Sequence, residues 1–222
     1  MDRLLSAIPG VVWPAVPAAA GATMLATLFQ LERSQWWPQS RLWEHQRSQL
    51  AQLLRHAVDT CPYYAKSLGE ALARLPGDFS QAQFSRLPIL TRAHVQRHLD
   101  DIRSRQIPPQ HGQVLADGTS GSTGEPVRFF TTDLARFFWQ AFNLRDHLWH
   151  ARDFSLKMAS IRAAGTAVTM NNWFGEIGET TLQTGPCVSI SPDLSTEHQA
   201  HRVIEEDPAY LTGYPNNLLA IL

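Results

Sequence analysis

The sequence has only two cysteines in 222 residues, Cys61 and Cys187. They stand too far apart for a metal or redox motif and are too few for a disulfide framework, so a reducing cytoplasm is the expected compartment. It also lacks an excess of either charge: 19 Lys and Arg against 20 Asp and Glu leave a net charge of -1. No overall attraction to nucleic-acid phosphates follows, and the basic run from Arg86 to His111, interrupted by Asp100 and Asp101, reads as a solvated face. Internal repeats and low-complexity tracts are absent. Charge is missing altogether from Leu4 to Leu31, but Pro9, Pro14 and Pro17 interrupt that stretch. What remains, Ala18 to Leu31, is shorter than the roughly 20 residues a spanning helix needs. A buried or surface-docked helix is expected there, not a membrane span.

The composition that is present, 44% hydrophobic and 18% charged, is that of a globular protein. The length suits one large domain or two small ones. After Pro38, Leu50, Leu53, Leu54 and Ala57 recur at helical spacing, the helix stops near Cys61-Pro62, and Tyr63 and Tyr64 begin another turn. A loop is expected at Pro76-Gly77-Asp78, and Thr91 is placed to cap a helix running to His98 or beyond. Pro108-Pro109 ends this region.

Beyond it strands and helices alternate. Gln113 to Ala116 reads as a strand entering a glycine-rich loop, and Val127 to Thr131 as a second strand leaving it. Thr132 or Asp133 can cap a helix that places Leu134, Phe137, Phe138, Ala141, Phe142, Leu148 and Trp149 on one face. Further strands are expected at Leu156 to Ile161, Cys187 to Ile190 and Tyr210 to Thr212, with a helix from Thr196 to Glu206. The fold class is therefore α/β, a helical N-terminal region followed by an α/β layered subdomain. The expected segments are 1–38, apolar; 39–110, mainly helical; and 111–222, α/β with the loop. The chain ends inside the apolar run Leu218-Leu219-Ala220-Ile221-Leu222 without a stop signal, so a longer parent protein is expected.

In the loop, Gly118, Gly121 and Gly124 alternate with Thr119, Ser120, Ser122 and Thr123. Backbone N–H groups and hydroxyls can converge there without side-chain obstruction, as in phosphate-binding loops. A mobile surface turn has the same composition. A Walker-type loop needs a lysine after its last glycine and a helix behind it, whereas Glu125, Pro126 and a strand follow here. A serine-hydrolase elbow needs Gly-x-Ser-x-Gly, which the spacing of Ser120 and Ser122 does not supply.

The run Thr119-Ser120-Gly121-Ser122-Thr123-Gly124-Glu125-Pro126 resembles the phosphate-binding signature of the adenylate-forming superfamily of acyl-CoA synthetases and related ligases. Cys61-Pro62-Tyr63-Tyr64, Leu87-Pro88-Ile89-Leu90-Thr91-Arg92 and Tyr210-Leu211-Thr212-Gly213-Tyr214-Pro215 narrow the resemblance to its phenylacetate-CoA ligase and capsule-biosynthesis adenylyltransferase branch. It covers Trp43 to the end. The resemblance implies an adenylate-forming fold, incomplete at the C-terminus, and a two-step reaction: a carboxylic acid attacks the α-phosphate of ATP, and a thiol such as CoA, or an amine, then takes the acyl group. Mg²⁺ would accompany ATP. Thr119, Ser120, Gly121, Ser122, Thr123 and Gly124 would hold the β- and γ-phosphates. The catalytic residues would lie beyond Leu222. Glu125 departs from the lysine or threonine common in relatives, and a carboxylate there would repel a triphosphate unless turned outward.

Trp173, Phe174 and Gly175 stand where relatives begin the acyl pocket, and Tyr214 lies near it; from the residues alone, packed aromatics in a strand-to-helix loop explain the first group and helix geometry explains Pro215. Asn171 and Asn172 could orient a polar group. The pairs His94/His98 and His198/His201 have ligand-like spacing but no third partner, so no metal is expected. The expected partners are a carboxylic acid and ATP, with neither nucleic acid nor a membrane expected; self-association into a homodimer stays open. The competing reading is a non-catalytic module in which a degenerate loop and the uncharged N-terminal segment dock a protein or a membrane.

Overall fold

The computed structural model of the chain describes residues 3–73, 80–119, 127–162, 168–174 and 182–222. The expected turn at Pro76-Gly77-Asp78, the loop centre from Ser120 to Pro126, and Gly175 lie outside them. The protein is mixed α/β, a helical N-terminal region followed by mixed sheets with helices. Its elements form two units, residues 30–139 and residues 1–29 with 140–222.

The first helix, α1 (Ala19–Ser34), buries only Gly21, Met24 and Leu28. This one-sided stripe at i, i+3 and i+7 marks a surface-docked helix. No described helix is long and apolar enough to cross a membrane.

In the unit of residues 30–139, α2 (Gln39–Thr60) buries Ala51 and Thr60. Leu53, expected inside, is 61% exposed, because a stripe centred on Leu54 leaves its neighbour about 100° round the helix. Cys61 turns to extended backbone, its N–H bonding Ala57 O. Pro62 then opens α3 (Pro62–Ala73), where a missing N–H costs nothing. The joint is tied from afar by Arg105 N–H to Thr60 O at 2.9 Å and by the Ser104 hydroxyl to Thr60 Oγ1 at 2.9 Å.

Ser80 and Gln83 form a capping box on α4 (Gln81–Phe84). Thr91 caps α5 (Arg92–Arg97) as expected, accepting from His94 N–H while His94 Nδ1 accepts from Thr91 N–H. The helix expected to continue past His98 breaks there and restarts as α6 (Leu99–Ile102). A 3₁₀ turn (Pro109–His111) leads to β1 (Val114–Gly118), paired antiparallel with β2 (Arg128–Thr132). β1 runs two residues past its expected end: Asp117 and Gly118 are poor strand formers, but they pair with Phe129 and Arg128, and cross-strand pairing overrides propensity.

Helix α7 (Asp133–Trp149) starts where expected. Thr132 is its cap, accepting from Ala135 N–H at 3.2 Å. Asp133 Oδ2 instead accepts from Gln113 N–H at 2.7 Å, locking the helix start to the entrance of β1. Gly112, at φ 74°, sits so close that a Cβ would strike the Asp133 carboxylate. The buried residues are Ala141 and Leu144, whereas Phe138, Phe142 and Trp149, expected on the inner face, are exposed. More apolar residues are present than one helix face can hold.

In the other unit, β3 (Met158–Ile161) lies between β5 (Cys187–Ile190) and β6 (Tyr210–Gly213), parallel to both, and a two-residue β4 (Thr169–Met170) pairs antiparallel with β5. β3 begins later than expected, since Leu156 is held in a turn by its N–H to Asp153 O. Gly185 passes so near the Ser155 and Leu156 carbonyls that any Cβ would clash. One sheet face carries Ala159, Ile161, Val188 and Ile190, packed by Val203 of α8 (Thr196–Glu206), by Leu211, and by Leu218 and Ile221 of α9 (Pro215–Ile221).

Gln199 joins these pieces. It is 2% exposed. Its Nε2 donates to Pro192 O at 3.1 Å and Leu194 O at 2.7 Å, and its Oε1 accepts from Asn217 at 3.0 Å. Gln199→Leu keeps the volume but strands these partners, so we expect a loss of about 2 to 4 kcal/mol, read as a lower urea midpoint at unchanged slope.

Candidate functional site

The stem of the glycine-rich loop is the described part of the phosphate-loop candidate. The β1–β2 register ends at Gly118 opposite Arg128. One step beyond, Thr119 N–H donates to Val127 O at 2.9 Å, and Thr119 Oγ1 accepts from Val127 N–H at 3.0 Å. Thr119 therefore clamps both ends of the loop, and its hydroxyl proton remains able to donate. Asp117 Oδ1 accepts from Gly118 N–H at 2.7 Å, which keeps that carboxylate turned to the stem. The other expected phosphate ligands, Ser120, Gly121, Ser122, Thr123 and Gly124, lie outside the described residues.

Trp173 and Phe174 belong to an aromatic cluster on the second sheet face, with Met158, Cys187, Phe154, Met170 and Tyr210. Trp173 is 7% exposed. Its indole N–H donates to Leu156 O at 3.0 Å and its backbone N–H to Thr184 Oγ1 at 2.8 Å. Asn172 Oδ1 accepts from Phe174 N–H at 2.9 Å, so this asparagine shapes the turn. Asn171 next to it is exposed. Tyr210 packs edge-on to Trp173 at 5.6 Å between ring centroids, and its hydroxyl accepts from Asp153 N–H at 2.8 Å. Tyr214 is not in this cluster: it is exposed at the N-cap of α9, roughly 13 Å along the strand direction from Tyr210. Burial pushes the Cys187 thiol up, the Arg162 charge opposing. It stays a protonated, apolar member of the core.

Sequence reasoning missed His147. It completes the cluster, with ring centroids 5.2 Å from Trp173, 5.7 Å from Phe174 and 6.1 Å from Phe154. The available signal was a histidine three residues after buried Leu144, on the inner face of α7. Arg152 Nη1 lies 2.9 Å from His147 Nδ1. A guanidinium can only donate, so Nδ1 accepts and the neutral ring carries its proton on Nε2. The same Nη1 bonds Asp146 Oδ2 at 2.7 Å, and that hydrogen bond, ahead of the Arg152 charge, holds the Asp146 carboxyl below its usual range.

At the carboxyl ends of the parallel strands the second face changes character. Ser160 is in register with both Ser189 and Thr212, so three hydroxyls cross the sheet in one row. Arg162 Nε donates to Ser189 Oγ at 3.4 Å. Among the described residues no carboxylate pairs with Arg162. A row of hydroxyls beside a guanidinium can hold an oxygen-rich or anionic group, and carboxyl ends of parallel strands are where α/β sheets receive ligands.

His94 and His198 are both engaged at helix caps, His94 on Thr91 and His198 Nδ1 on Ser195 Oγ at 2.6 Å. His98 and His201 lie near Asp101 and Glu205. No three His, Cys, Asp or Glu side chains converge among the described residues. No family model matches the chain, and no curated protein matches it.

Burial first, and the Arg152 charge second, hold the His147 imidazole below the usual histidine range. The unfolded chain then binds this proton first as pH falls. The stability contribution is complete above a pH of about 6.5 and is lost from there down toward the folded-state value. His147→Phe should flatten that part of the profile, measured as the urea midpoint between about pH 7.5 and 5 in both proteins. A parallel pair of curves would assign the slope to other groups.

Proposed function

We propose that this chain is the ATP-phosphate-holding part of a carboxylic acid adenylating enzyme, similar to phenylacetate-CoA ligases and working in the cytoplasm. The observation that carries the reading is the run Thr119-Ser120-Gly121-Ser122-Thr123-Gly124-Glu125-Pro126 between β1 and β2, with Thr119 tied to Val127 by two hydrogen bonds. Strand-to-strand placement separates it from a Walker loop, whose phosphates sit at a helix N-terminus.

In this reading a carboxylate oxygen attacks the α-phosphorus of ATP. The bond to the bridging oxygen breaks, and pyrophosphate leaves with the negative charge. The hydroxyls of Thr119, Ser120, Ser122 and Thr123, with the backbone N–H groups of the glycines, stabilise that charge as it builds. Mg²⁺ enters as the ATP complex and neutralises the phosphates. The acyl-adenylate then passes to a thiol, CoA in the nearest chemistry. The fold would be the first portion of the adenylate-forming fold, with the catalytic residues of the parent enzyme in a further segment.

Ser160, Ser189, Thr212 and Arg162 are the residues of the α/β sheet best equipped to meet a polar substrate group. Trp173, with its only side-chain donor spent on Leu156 O, serves as packed floor. Phe174 is half-buried beside it.

Calorimetry with ATP·Mg²⁺ tests the loop. The wild-type chain should bind and Ser122→Ala, Thr123→Ala should lose at least tenfold in affinity; equal affinities would remove the loop from ATP binding. Thr119→Val removes an exposed hydrogen bond of about 1 kcal/mol that pre-orders the stem, so a smaller, two- to tenfold weakening is expected in the same titration.

A further inference from the structure

The N-terminal segment forms a closed loop with an apolar tip. Its start is fastened to the α/β unit: Leu4 bridges Leu182, and Gln183 N–H donates to Arg3 O at 2.9 Å. Ala7 N–H to Val16 O at 2.8 Å closes the base. Inside it the Ser6 hydroxyl accepts from Ile8 N–H at 3.3 Å and Val16 N–H at 3.2 Å. Beyond this tie, Val12 is 82% exposed and Trp13 76%, with Ile8, Val11 and Val16 also on the surface.

We propose that this tip inserts into the interfacial layer of a lipid bilayer, making the protein a peripheral membrane protein. The side chains are of the right kind: Trp concentrates at the membrane–water interface, and no charged residue occurs from Leu4 to Leu31. The backbone suits the same environment, because every unpaired N–H carried into lipid is costly. Of residues 7–17, Ala7, Ile8, Val11 and Val16 have their N–H bonded within the loop, and Pro9, Pro14 and Pro17 have none to bond. Of these eleven positions three carry no N–H, and four of the remaining eight donors are bonded before the tip meets hydrocarbon. Area favours lipid over a second protein. The five side chains present on the order of 500 Å², below the roughly 800 Å² per partner of a stable protein interface. A bilayer asks only that a few apolar side chains leave water.

Vesicle sedimentation tests this. The purified chain is spun with sucrose-loaded vesicles of phosphatidylcholine alone and of phosphatidylcholine with phosphatidylserine. Three proteins are compared: wild type, the double variant Val12→Asp, Trp13→Asp, and Ile204→Asp, an exposed apolar position on α8. Wild type and Ile204→Asp should pellet with both vesicles. The double variant should lose at least fivefold of the bound fraction with an unchanged circular dichroism spectrum, since neither substituted side chain is buried. No wild-type pelleting, equal pelleting of the double variant, equal loss in Ile204→Asp, or binding to anionic vesicles alone would each overturn the proposal. So would a wild-type dimer that the double variant abolishes without any vesicle binding, which would make a second copy the occupant.

Discussion

The side-chain alternation of three parallel strands governs everything the α/β unit presents. Because β3, β5 and β6 run in register, Met158 beside Cys187 and Tyr210, the period of two acts across the whole sheet at once. One set, Ala159, Ile161, Val188 and Ile190, meets α8 and α9 and makes a dry core. The other set receives the aromatic cluster at its start and the hydroxyl row at its end. A one-residue slip in β3 would exchange the sets, burying Ser160 against α8 and turning Ile161 toward the hydroxyl side. Gln199 and Gly185 guard that arrangement from its edges, one holding the β5–α8 connection, the other permitting the close pass beside Leu156.

Much of the element order was legible because local chemistry and tertiary context agree. Cys187–Ile190 and Thr196–Glu206 match expectation at both ends. Ser195 caps the helix, and the strand's β-branched residues lie fully inside. Agreement fails where pairing or burial overrides composition. Asp117 and Gly118 join a strand only because Phe129 and Arg128 stand opposite. β4 is two residues long and leaves no periodic trace. On α7 the apolar side chains outnumber what one face can bury, so counting them could not tell Ala141 and Leu144 from Phe138 and Phe142.

The residues of the candidate site were legible in a different way. The glycine, serine and threonine loop announces itself by composition, and the structure adds the stem: Thr119 spends its acceptor on Val127 while keeping its donor. The aromatic group needed three dimensions. Trp173 and Phe174 are visible in the sequence, yet their partners Phe154, His147 and Tyr210 come from three other segments. His147 is invisible to a hydrophobic periodicity count although it behaves as a core residue. Its neutrality follows from burial and from a guanidinium that can only donate, and Arg152 lies beyond the end of α7, in a turn that no helical pattern includes.

A sheet built for stability alone would not contain the Ser160, Ser189 and Thr212 row. Ser189 is 2% exposed, and its hydroxyl contact to Arg162 is long at 3.4 Å, so a valine there would gain apolar burial and forfeit little. The row crosses all three parallel strands at one register level and stands at their carboxyl ends, beside Arg162, which pairs with no carboxylate among the described residues. Below the same row, Trp173, Phe154 and Tyr210 are packed and their hydrogen-bonding groups satisfied, which makes the lower part of the face rigid. The two parts of the face differ in what they offer: apolar packing supplies a fixed surface, and the hydroxyls with Arg162 supply hydrogen-bonding groups.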